Sequence, residues 1–100
     1  MHSLSESYEQ DLIYCIIRDT VNDTINEPVN DIVRKRLVEL VLHIYRQPGL
    51  RAPELGSAMN ISDVTIRRDM QKIRPLTEFR GSQKSGAYFL TEKLLSKLTE

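Results

Sequence analysis

Between residues 51 and 75, two apolar patterns of helical period are separated by a short break, and that spacing restricts the fold more than any other feature of the chain. Pro53 suits the first position of a helix, where its missing N–H has no intrahelical partner to lose. Leu55 and Met59 lie four residues apart, on one side of a short helix over residues 53–59. Asn60 tolerates the left-handed backbone that ends a helix, and the Ser62 hydroxyl suits the cap of the next one. Ile66, Met70 and Ile73 then recur at i, i+4 and i+7 over residues 63–74, and Pro75 stops the run. Two helices joined so tightly must share a third element that covers both apolar sides.

The segment 31–47 supplies that element. Val33, Leu37, Leu40, Val41 and Ile44 mark one face, Val38, Leu42 and Tyr45 widen it, and Pro48-Gly49 ends it. A helix so broadly apolar is buried against more than one neighbour. After Pro75, Leu76 to Arg80 and Ala87 to Thr91 read as strands around the polar turn Gly81-Ser82-Gln83-Lys84-Ser85-Gly86. Glu92 to Thr99, with Leu94, Leu95 and Leu98, reads as a closing amphipathic helix. The order helix, short helix, tight turn, helix, hairpin predicts a mainly α fold with a small β-hairpin wing, a winged helix-turn-helix on a three-helix core.

Residues 1–30 precede this domain as an acidic N-terminal helix and linker. Leu12, Ile13, Ile16 and Ile17 form an apolar stripe over residues 8–20, with Tyr8 one turn earlier. Residues 21–32 repeat an apolar residue, Asn and an acid every four positions: Val21-Asn22-Asp23, Ile25-Asn26-Glu27, Val29-Asn30-Asp31. Asn and Asp are weak in helix interiors, and Pro28 disfavours helix at Glu27, so a linker with turns, opening at most on a frayed helical turn, is expected there. Asn30 or Asp31 is expected to cap the following helix.

Composition narrows the chemistry. With no Trp and six aromatic residues in 100, the core must be aliphatic. Cys15 is the sole cysteine, which excludes an intrachain disulfide and a cysteine-based metal site; it reads as a small buried apolar residue. His2 and His43 have no second ligand at metal spacing. Neither a nucleophile–base spacing nor a Gly-rich phosphate loop is present, so no enzyme, metal or cofactor is expected. No apolar stretch approaches the ~18 residues of a membrane span, and Met1 to Glu6 lacks the layout of a signal peptide. A soluble cytoplasmic protein with no membrane partner is expected.

A formal net charge of zero hides a polarised chain. Residues 1–30 carry Arg18 against Glu6, Glu9, Asp11, Asp19, Asp23 and Glu27, a net of −5, while residues 31–100 carry thirteen basic and eight acidic residues, a net of +5. Such asymmetry points to a polyanion partner for the basic part, with the acidic part a candidate shield for it.

The helix over 63–74 concentrates this signal. Opposite Ile66, Met70 and Ile73 stand Val64, Thr65, Arg68, Gln71 and Lys72, with Arg67 at the flank. Arg can fork onto guanine, Gln can pair with adenine and Val can touch a thymine methyl in the major groove. Ser62 and Asp63 open the helix, whose free backbone N–H groups suit a phosphate. Arg80, Ser82, Gln83 and Lys84 on the hairpin are placed to follow the backbone into an adjacent minor groove. Asp69, on the inner flank, is expected to pair with an Arg or cap a neighbour. For Arg34-Lys35-Arg36, a solvated face is expected ahead of DNA contact.

The run Ile61-Ser62-Asp63-Val64-Thr65-Ile66-Arg67-Arg68-Asp69-Met70-Gln71-Lys72-Ile73 resembles the recognition helix of DeoR-type repressors, Ser-x-x-Thr-Ile-Arg-Arg-Asp-Leu, with Met70 in place of leucine. The resemblance implies DNA-contact roles for Ser62, Thr65, Arg67 and Arg68. DeoR-type proteins carry this domain at the N-terminus, ahead of a sugar-phosphate-binding domain, and with a Gly-Gly pair in the wing; both differ here. The segments Ile25 to Asp31 and Gly81 to Tyr88 resemble instead the C-terminal part of RecG-related, Schlafen AlbA-domain regulators, in which an ATP-binding domain precedes a winged helix. The expected function is sequence-specific double-stranded DNA binding as a bacterial transcriptional regulator or part of one. The alternative is an accessory or protein-interaction module of a larger RecG-related protein, docking on it or on a second copy through Leu12, Ile13, Ile16 and Ile17.

Overall fold

The computed structural model describes residues 4–25, 27–82 and 85–99, with side chains from Gln10 onward. Helices α1 (Leu4–Thr24), α2 (Asp31–Arg46), α3 (Ala52–Met59) and α4 (Asp63–Lys72) are followed by a 3-10 turn (Arg74–Leu76). Strands β1 (Thr77–Arg80) and β2 (Ala87–Leu90) and helix α5 (Glu92–Thr99) complete the chain. The protein is thus mainly helical with one small antiparallel hairpin.

Helix α2 is the centre of the core. Leu37, Val38, Leu40, Val41, Leu42 and Ile44 are all buried, more than one face of a helix can present to a single neighbour. The Asn30 side chain accepts the Val33 N–H at 2.8 Å and so caps the helix. At the far end Pro48 and Gly49, with φ +92°, turn the chain away. Leu55 from α3, Ile66 and Met70 from α4, Ile73 and Leu76 from the turn after α4, Leu90 from β2 and Leu94 and Leu98 from α5 fill the same interior.

The N-terminal helix is longer than its propensities suggest. Residues 21–24, expected to belong to a linker, continue α1. Val21 and Ile17 are fully buried in the common core, and that burial outweighs the poor helix propensity of Asn22 and Asp23. Thr20 and Thr24 donate back to the carbonyls of Ile16 and Thr20 at 2.7 and 2.8 Å. The Asn22 amide oxygen accepts from Arg34 at 2.6 Å, tying α1 to α2. Of the four apolar residues expected as a docking stripe, Ile17 is in this core, Ile13 and Ile16 pack against it, and Leu12 stays exposed. Cys15 is half-buried rather than buried.

Two other boundaries shift by a residue or two. Helix α4 ends at Lys72: Ile73 leaves the helical backbone at φ −114°, ψ 28°, and Pro75 has no N–H with which to extend the ladder to the Gln71 carbonyl. Leu76, read as the first strand residue, closes the 3-10 turn with its side chain in the core, its N–H donating to the Ile73 carbonyl at 2.9 Å. In the hairpin Thr77 pairs with Leu90, Glu78 with Phe89, Phe79 with Tyr88 and Arg80 with Ala87. A further antiparallel bridge joins Leu50 to Tyr88, so the segment ahead of α3 lies beside β2.

Candidate nucleic-acid interface

Helix α4 is held by local chemistry at its start and by a buried charge pair along its side. Asn60 adopts φ 57°, the left-handed conformation that turns the chain out of α3. Gly56 lets the turn close: the Ile61 N–H donates to its carbonyl at 2.9 Å, and a Cβ on Gly56 would sit 2.6 Å from the Ile61 carbonyl oxygen. The Ser62 hydroxyl accepts the Thr65 N–H at 3.2 Å and donates to the Thr65 hydroxyl at 2.9 Å. Ile66 and Met70, with Ile73 just past the helix end, are buried as their spacing predicts.

Asp69 is the one buried charged residue among those described, and it pairs with Arg36 of α2. Nε of Arg36 bonds one carboxylate oxygen, and a second nitrogen bonds the other at 3.1 Å. The hydrogen bond to Asp69 pushes the Arg36 pKa up, against the opposing effect of burial. The basic run 34–36 is therefore structural at two of its three positions: Arg34 holds α1, Arg36 holds α4, and Lys35 is exposed.

With its inner side fixed, α4 presents Asp63, Val64, Arg67, Arg68 and Gln71 to solvent, while Thr65 and Lys72 are half-buried. Val64 is 61% exposed, a position with no packing role. Among the described residues, neither Arg67 nor Arg68 makes a hydrogen bond or an ion pair. The exposed side divides in two. Arg67 and Gln71 border an open groove between α4 and the hairpin. Ser62 and Asp63 border a shallow depression under the α3–α4 turn. Val64, Arg68 and Lys72 lie on neither.

The hairpin contributes differently from expectation. Side chains alternate across a strand, and the register places Phe79 and Tyr88 on the groove side, their ring centroids 5.0 Å apart. Arg80 belongs to the opposite side. It pairs with Glu78 at 2.8 Å and lies over the Phe89 ring at 4.5 Å from its centroid. The exposed Ser82 hydroxyl bonds that of Ser85 at 2.7 Å. Gln83 and Lys84 lie outside the described residues.

Arg51, Arg74, Phe79 and Tyr88 are among the groove residues that escaped sequence reasoning. Arg74 was legible, standing at i+7 from Arg67 and i+3 from Gln71. The two rings required the strand register. Burial raises the Tyr88 phenol pKa, and the nearby Arg67 charge partly offsets this.

No protein-family model matches this chain, and no curated protein shows significant similarity to it. Among the described residues no group of three or more His, Cys, Asp or Glu is placed to hold a metal ion. None of the described helices is long and apolar enough to cross a membrane.

Proposed function

We propose that this chain is a winged helix-turn-helix domain that binds double-stranded DNA in a sequence-specific manner, as a bacterial transcriptional regulator or a part of one. The carrying observation is the two-sidedness of α4. Ile66, Met70 and Asp69 lock one side into the body, while Val64, Arg67, Arg68 and Gln71 stand in solvent on the other. An α-helix fits the major groove, and this set combines guanidinium, amide and methyl groups that distinguish bases there. The resemblance of residues 61–73 to the DeoR-type recognition helix supports the same assignment. Arg80, spent on Glu78 and Phe89, has a smaller part in it than Arg67 and Arg68.

The test is selection of duplexes from a random pool, followed by anisotropy titration at several salt concentrations. Binding falls steeply with salt. Arg68→Ala costs on the order of 1–3 kcal/mol on the selected site and relaxes its sequence preference. Unchanged affinity in both Arg67→Ala and Arg68→Ala overturns the assignment. The accessory-module reading is weakened because α1 spends Ile17 on this chain's own core.

A further inference from the structure

We infer that the groove between α4 and the hairpin binds a single nucleotide, an aromatic base carrying a phosphate, at a site that shares Arg67 and Gln71 with the exposed side of α4 and leaves Val64 and Arg68 outside it. The groove has a volume of about 910 Å³, within the range of small-molecule sites. Among the described residues its lining includes Arg51, Arg67 and Arg74 and no carboxylate, in a chain whose net charge is zero. Arg67 and Arg74 are both exposed, and two guanidinium groups on one concave surface favour an anion, phosphate in particular.

The remaining lining selects what the anion carries. Phe79 is 46% exposed although it sits on the groove side of the hairpin, tilted against Tyr88. Gly86 lies so close to that ring that a Cβ there would fall 2.1 Å from it, so the missing side chain makes room for the ring. An exposed aromatic face beside cations is a platform on which a base stacks. Gln71 adds a donor and an acceptor at the groove edge, suited to a base's polar rim. Sulfate or a carboxylate would use Arg67 and Arg74 and leave the ring idle; an apolar ligand would use the ring and leave those two cations idle.

The base could belong to a free nucleotide or to an unpaired strand end, and the two are separated by experiment. Amide chemical shifts of the whole chain are followed on adding deoxyadenosine monophosphate, inorganic phosphate or deoxyadenosine. The nucleotide is expected to shift Gln71, Thr77, Phe79 and Tyr88 and to bind at least about fivefold tighter than either fragment. Arg74→Gln, at an exposed position, weakens this by a similar factor with unchanged thermal stability. A duplex with a three-nucleotide tail is then compared with its blunt form. Tighter binding of the tailed form, lost in Arg74→Gln, assigns the unpaired strand; equal binding assigns the free nucleotide. No shift in the groove, or the same shifts with phosphate alone, overturns the inference. Loss of blunt-duplex binding in Arg68→Ala bears on the outer face of α4 and not on this site.

Discussion

Arg36 of α2 and Asp69 of α4 form a two-pronged ion pair in which the carboxylate is fully buried and the guanidinium half-buried. The two ends of the pair are not equivalent. Arg36 keeps a route to water, and Asp69 has none. The consequence is an asymmetry between removing one partner and removing the other.

Arg36→Ala strands a carboxylate in the core and is expected to cost about 3–5 kcal/mol. Asp69→Ala releases a cation that can turn to solvent, and costs about 1.5–3 kcal/mol, the range for a charged hydrogen bond. Urea denaturation of both variants measures the order. Arg36→Met with Asp69→Leu together recovers most of the loss, since a packed apolar pair replaces the charges without stranding either. Equal losses in the two single variants would contradict the burial difference.

The α3–α4 turn rests on a missing side chain. Gly56→Ala places a Cβ 2.6 Å from the Ile61 carbonyl oxygen, a backbone atom that cannot move without the turn. Alanine normally strengthens a helix, yet here a loss of about 1–3 kcal/mol is expected from overpacking. Nuclear magnetic resonance of this variant should show the largest amide shifts at residues 61–65.

Asn60 makes the complementary case. Its φ of 57° suits glycine better than any residue with a Cβ. Asn60→Gly is expected to be neutral or slightly stabilising in thermal melts. Asn60→Ala loses about 1 kcal/mol, because alanine meets the left-handed penalty without asparagine's local hydrogen bonding.

Tyr88 ties the groove to pH. Burial raises its pKa above the ordinary tyrosine value, so the folded chain holds the phenolic proton to higher pH than the unfolded chain does. The associated stability is therefore present below the unfolded pKa, near 10, and is lost as pH rises through the folded value. Arg67 pulls the other way, so Arg67→Ala should move the Tyr88 titration to still higher pH. Difference absorbance near 295 nm against Tyr88→Phe isolates this residue from the other three tyrosines.

What the sequence revealed and what it withheld follow from the range of the interactions. Asn60, Ser62, Pro75 and the Ile66–Met70–Ile73 spacing are local signals, and they located α3, α4 and the turn closely. Asp69 was legible as a pairing residue by its place on the inner flank; its partner, 33 positions earlier, was not. Residues 21–24 read as linker because Asn22 and Asp23 argue against helix locally, while the burial of Val21 depends on distant parts of the chain. The neighbours of Arg80 were hidden for the same reason. Its place over Phe89 is set by the strand register, and a one-residue slip would have turned it to the groove.

The short bridge between Leu50 and Tyr88 has a mechanical meaning for whatever α4 and the hairpin grip together. Gly49 donates to the Tyr88 carbonyl at 3.0 Å, and Tyr88 donates to that of Leu50 at 2.8 Å, directly ahead of α3. The hairpin wall of the groove is thereby joined to the segment that leads into α3. A guest meets Pro53 and Tyr88 already held side by side, which lowers the ordering entropy lost on seating it.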